Sequence, residues 1–155
     1  MEKSLKKHII SKCQELLNER HYQIQKSIAA IEESLTSETK SSAGDKHETG
    51  RAMLQLEREK AGNRLKEIEA MFQAFSIIKL QSTSEVGQKK IRTGSLVETE
   101  NGFYFISVSL GVITIDKKTV YCISPQSPIG NLLLGKELGN TITFRATSAK
   151  ILSIL

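Results

Sequence analysis

The segment Gly44-Asp45-Lys46-His47-Glu48 puts two carboxylates three positions apart at a point where the chain has to reverse. Ionised carboxylates accept hydrogen bonds and donate none, and each offers about four lone-pair sites. Asp45-x-x-Glu48 has the spacing of a capping box, with Asp45 as N-cap and Glu48 at the third helical position. The same acids also form an acidic tip at the end of a helical hairpin. The two readings are compatible, because an oxygen that accepts a backbone N–H keeps lone pairs for a metal-bound water. Glu38, just before the tip, reads as a solvated helix end.

Other side chains with reactive chemistry form no comparable set. His8, His21 and His47 lack metal-ligand spacing, and His47 reads as an exposed polar residue. Cys13 and Cys122 form no CxxC pair and read as small core residues of a reduced, cytosolic protein. Lys89, Lys90 and Arg92 read as a solvated basic cluster. There is no nucleophile–base set and no phosphate loop, which argues against an autonomous enzyme.

Residues 1–80 must position the tip. Leu17, Ile24, Ile28, Ile31 and Leu35 recur at helical spacing, as do Leu54, Ala61, Leu65, Ile68, Phe72 and Phe75. Both sets are coiled-coil seams with charged residues between them. Thr36 to Gly44 lacks apolar periodicity and reads as a turn. Two seams joined by a short connection pack antiparallel, with helices of about 30 residues each and a length of roughly 45 Å.

The period changes after a linker at 81–93. Six short segments rich in Val, Ile, Phe, Tyr and Thr read as strands: Ser95–Glu100, Phe103–Ser109, Val112–Asp116, Thr119–Ser124, Thr141–Ala146 and Lys150–Leu155. Asn101-Gly102 signals a hairpin, and Asp116-Lys117-Lys118 a turn. Ser127 fits an N-cap, Pro128 the first helical position and Gly135 a C-terminal stop, with Ile129, Leu132 and Leu133 as the apolar face. The expected architecture is α+β: an antiparallel coiled-coil hairpin over 1–80 with its tip near 41–48, then a compact antiparallel sheet with one short helix over 94–155.

Composition bounds the function. The chain has 155 residues, 25% charged and 39% hydrophobic, which suits a folded protein. Its longest apolar-rich stretch, Phe103 to Ile115, is too short and too interrupted to span a membrane. The first residues lack the apolar core of a secretory signal. Net charge is +5, with 14 Lys/Arg against 12 Asp/Glu in residues 1–80 and 8 against 5 in the remainder. So diffuse an excess aids approach to an anionic partner but does not predict direct nucleic-acid binding.

The run from Ile123 to Asn140 (ISPQSPIGNLLLGKELGN) resembles the C-terminal signature of the Gre transcript-cleavage factors of bacterial RNA polymerase, which reads S-x-x-SPIG-x-x-L-x-GK-x-x-G-D. The tip is similar to that family's G-D-L-x-E-N, and the order of coiled coil, acidic tip, linker and SPIG segment is the same over nearly the whole chain. The resemblance implies an FKBP-like C-terminal domain that docks on bacterial RNA polymerase, with Ser127, Pro128, Ile129 and Gly130 as the partner-binding segment. It implies a coiled coil that enters the secondary channel. It further implies that Asp45 and Glu48 help hold an Mg²⁺ ion shared with the polymerase and orient a water for cleavage at the 3′ end of backtracked nascent RNA. The polymerase would be the enzyme, the factor a cytoplasmic monomer without a tightly bound cofactor, and no isomerase activity follows. The chain departs from the family at one position and one segment: Asn140 replaces the final Asp, and Thr49-Gly50-Arg51-Ala52 replaces Asn-Ala-Glu-Tyr. A non-cleaving regulator or inhibitor of the same channel, and a coiled-coil scaffold unrelated to transcription, are the alternative functions.

Overall fold

A computed structural model of the protein describes residues 2–40, 44–81 and 89–155, with the side chains of residues 2–3 and 38–48 outside the description. The chain is α+β. Helices α1 (Glu2–Lys40) and α2 (Gly44–Gln81) precede strands β1 (Leu96–Thr99), β2 (Gly102–Ile106), β3 (Gly111–Ile115) and β4 (Lys118–Ile123). Helix α3 (Pro128–Leu133) and strands β5 (Thr141–Phe144) and β6 (Thr147–Ile154) complete it. Two compact units result: Leu16–Phe72, and Met1–Glu15 together with Gln73–Leu155.

In the unit Leu16–Phe72, the two helices run antiparallel along the expected seams. Ile24, Ile28 and Ala61 are buried, with Ile31, Leu65 and Ile68 packed against them. Glu32 Oε1 accepts a hydrogen bond from Arg58 Nε at 3.1 Å, and His21 meets the edge of Phe72 with ring centroids 5.3 Å apart. Partners thus fall in number on one helix as they rise on the other. Each fully buried Ile contributes about 1.5–3 kcal/mol, so a seam this narrow has a thin margin of stability.

The helices have 39 and 38 residues, longer than the expected 30 or so. The stretch 36–40, expected as part of a turn, is the last part of α1. Thr36 within it donates its hydroxyl to the Glu32 carbonyl at 3.0 Å, a local bond the helix tolerates. The remaining turn positions, residues 41–43, lie outside the described residues.

The second unit is built on a six-stranded sheet in the order β3-β4-β2-β1-β6-β5. All neighbours are antiparallel except β2 and β4, which pair parallel from Phe103↔Val120 to Ile106↔Ile123. The sheet is thus mostly antiparallel, as expected, with that one parallel pair. Strand β3 occupies the edge and serves as the crossover, so β4 returns in the same direction as β2 and inserts beside it. The hairpins are tight. Asp116 and Lys117 (φ 51° and 64°) turn β3 into β4, and Arg145 and Ala146 (φ 49° and 65°) turn β5 into β6. Positive φ at both central positions suits the right-handed strand twist.

Both sheet faces are buried. On one, Val97, Ile106, Ile142, Ile151 and Ile154 form a core with Ile91 and with Leu133 of α3, and Tyr104 and Ile129 pack against it. Register places Leu96, Phe105, Val120, Cys122 and Ile113 on the opposite face, where all are nearly inaccessible to solvent. Leu5, Ile9 and Cys13, spaced four apart, make a buried stripe on α1. Cys13 Sγ lies 3.6 Å from Cys122 Sγ, which brings the first turns of α1 onto that face. Lys6 Nζ donates to the Leu155 carbonyl at 3.1 Å on the same helix segment.

Of the segment expected as a linker, residues 82–88 lie outside the described residues. Its described end belongs to the sheet unit: Ile91 is 2% exposed, its N–H donates to the Lys136 carbonyl at 2.9 Å, and its carbonyl accepts from Gly135 N at 2.8 Å.

Candidate functional site

Position 45 falls in the first turn of α2, which begins at Gly44, and position 48 at the start of the second turn. The side chains of Asp45 and Glu48 lie outside the described residues. Asp45 takes a helical position, one residue inside the helix start rather than at the expected N-cap. An acid there is still favoured, because the helix N-terminus carries a partial positive charge. Among the described residues no group of three or more His, Cys, Asp or Glu is placed to hold a metal ion.

The SPIG segment builds a helix start. Ser127 is the N-cap, with extended backbone at φ −66° and ψ 156°. Its Oγ accepts the Gly130 N–H at 3.1 Å and donates to the Ser124 carbonyl at 2.7 Å. Pro128 occupies the first helical position, where its missing N–H costs nothing and its fixed φ fits. Gly130 is buried, and a Cβ built there would collide with the Ser124 carbonyl oxygen and crowd Ser127 Oγ. Ile129 is half-buried against the core. Pro128 is exposed, so within the motif it is the residue most open to a partner.

Helix α3 ends as its sequence predicts. The N–H of Leu134 donates to the Gly130 carbonyl, and Gly135 follows with φ 81°. Asn140 also has a local job. Its Oδ1 accepts the Glu137 N–H at 2.8 Å, and its backbone carbonyl accepts from Ile151 N at 2.8 Å. A carboxylate oxygen would serve the first bond equally well.

Two groupings escape the sequence because their members are far apart along the chain. A cleft of about 240 Å³ is lined by Tyr104, Ile129, Ile142, Phe144, Arg145 and Thr147, among others. Tertiary folding brings Tyr104 and Phe144, 40 positions apart, to one cleft. Arg145 lies 5.1 Å from the Phe144 ring centre. Burial, and then the neighbouring Tyr121, push the Tyr104 hydroxyl above its ordinary pKa. The second grouping is the thiol pair. Cys13 and Cys122 are core residues as expected, yet nothing in the sequence signals that they touch. His8 and Asp116 lie 3.7 Å apart but are both well exposed, so that contact contributes little.

No helix among the described residues is long and apolar enough to cross a membrane. Comparison with protein-family models, curated proteins and solved structures finds no match to this chain.

Proposed function

We propose that the protein is a transcript-cleavage and elongation factor for bacterial RNA polymerase. The supporting observation is an antiparallel helical hairpin that carries two carboxylate residues, Asp45 and Glu48, within the first five residues of its second helix. A thin two-helix body can enter a channel that a globular domain cannot. In α1, the 25 residues from Leu16 to Lys40 alone extend about 37 Å. The SPIG resemblance supplies the partner, and its residues fold into an α3 start whose rigid turn displays Pro128.

In this reading the polymerase carries out the chemistry. Asp45 and Glu48 would contribute oxygen ligands to an Mg²⁺ ion shared with the polymerase, a donor set that suits a hard cation which retains several waters. When bound, that ion supplies activation of the attacking water in phosphodiester hydrolysis. The carboxylates would orient the attacking water, and the helical hairpin would carry them to the polymerase active site. Docking falls to Pro128 and the surface beside it, while Ser127 and Gly130 act by holding the turn and Ile129 by anchoring it.

The test is RNA release from a stalled, backtracked elongation complex. The wild-type protein should release short 3′ fragments, and Asp45→Asn and Glu48→Gln should each lower the rate at least tenfold while still binding polymerase. Binding without release in all three proteins would replace this reading with that of a non-cleaving channel regulator. Failure to bind polymerase at all would favour a scaffold role.

A further inference from the structure

We infer that Cys13 and Cys122 are a redox-modification site, at which a hydroperoxide converts two buried thiols into a disulfide tying helix α1 to strand β4. This inference stands apart from the transcription reading. The two residues are 109 positions apart, are free thiols, and hold their sulfurs 3.6 Å from each other. They are 0% and 1% exposed. A disulfide requires about 2.05 Å between sulfurs. The approach of roughly 1.5 Å is small on the scale of a side-chain rotation combined with a slight helix shift.

The two sulfurs share one hydrogen bond in which either can be the donor. That bond holds the Cys122 thiol below its ordinary range despite burial, and the same bond together with burial pushes the Cys13 thiol up. Either thiol can be the first nucleophile with the same balance, and Cys122 is taken first. Its sulfur attacks one peroxide oxygen and the O–O bond breaks. The thiol proton leaves with the departing alkoxide as an alcohol (or water), and Cys122 becomes a sulfenic acid. Cys13 Sγ then attacks that sulfur. The S–OH bond breaks, water leaves with the Cys13 proton, and the S–S bond forms. In total two thiols lose two electrons, and one hydroperoxide gains them.

Location gives the bond a mechanical consequence. Cys13 completes the buried Leu5–Ile9–Cys13 stripe of α1, and Cys122 lies in β4 between its two neighbours β3 and β2. The cross-link would prevent the first turns of α1 from lifting off the sheet. Burial makes the reaction depend on local opening, so oxidation should be slow and should quicken in mild denaturant.

Treatment of the reduced, full-length protein with hydrogen peroxide under native conditions tests this. We expect an intact-mass loss of about 2 Da, a non-reducing peptide map joining the Cys13 and Cys122 peptides, and a rise in Tm on the order of 5–15 °C that dithiothreitol reverses. Cys13→Ala and Cys122→Ala, each first shown to fold by circular dichroism, should show neither the mass loss nor the rise in Tm. Gain of oxygen mass without the cross-link, intermolecular dimers in its place, or unmodified thiols even in mild denaturant would overturn the site. A cross-link that leaves Tm unchanged would overturn the tie between α1 and β4.

Discussion

The α-carbon of Gly130 packs so closely on the backbone carbonyl of Ser124 that no side chain fits between them. Ser127 fixes both partners, by accepting from Gly130 N and donating to Ser124 O. Neither can retreat without breaking a hydrogen bond at the start of α3. Gly130→Ala should therefore destabilise the protein by about 1–3 kcal/mol, whereas Ser127→Ala should cost about 1 kcal/mol as a lost cap. Urea unfolding of both variants checks the order. A Gly130→Ala protein as stable as wild type would show that the turn is looser than its geometry indicates.

Lys6 should give the protein a rising stability in alkali. It is nearly inaccessible, and burial, followed by the nearby Arg92 charge, lowers its pKa from the ordinary 10.5. Between its folded pKa and 10.5 the unfolded chain binds more protons than the folded one, so stability rises with pH across that window. Below the folded pKa the full penalty of a buried ammonium is present. Lys6→Met removes it, and the Leu155 carbonyl keeps a partner in Leu96 N at 2.9 Å. The stability advantage of Lys6→Met over wild type should be largest near neutral pH and shrink toward pH 10.5. A gap that widens with pH would refute the sign.

Ser107 is buried at 3% exposure, and its hydroxyl has no hydrogen-bond partner among the described residues. Burial of an unpaired hydroxyl costs about 1–3 kcal/mol. Ser107→Ala should leave stability unchanged or raise it by about 1 kcal/mol, read as a shift in the urea midpoint at constant slope. A loss of stability would mean that the hydroxyl has a bound-water partner.

The β3–β4 turn should improve with glycine. Lys117 sits at φ 64°, where a side chain crowds the following carbonyl. Lys117→Gly relieves that crowding and should add roughly 0.5 kcal/mol, with part of the gain offset by the greater freedom of the unfolded chain. Thermal unfolding should show a small increase in Tm, and a decrease would place the strain elsewhere in the hairpin.

Local signals carried much of the architecture in the sequence. The helical seams, the two hairpin turns read from Asn101-Gly102 and Asp116-Lys117, and the Ser127-Pro128 start of α3 each depend on residues a few positions apart, whose backbone preferences and side-chain periods act without the remainder of the fold. Helix α1 runs past its expected end to Lys40, and Thr36 within it bonds its hydroxyl to the Glu32 carbonyl, which local composition did not signal. Tertiary structure decided everything that joins distant residues. It inserted β4 beside β2, drew Ile91 into the core, gathered Tyr104 and Phe144 at one cleft and set Cys13 against Cys122. Burial rewards such contacts through area removed from water, which has no direction along the chain, so a pattern read position by position carries no record of which partners meet.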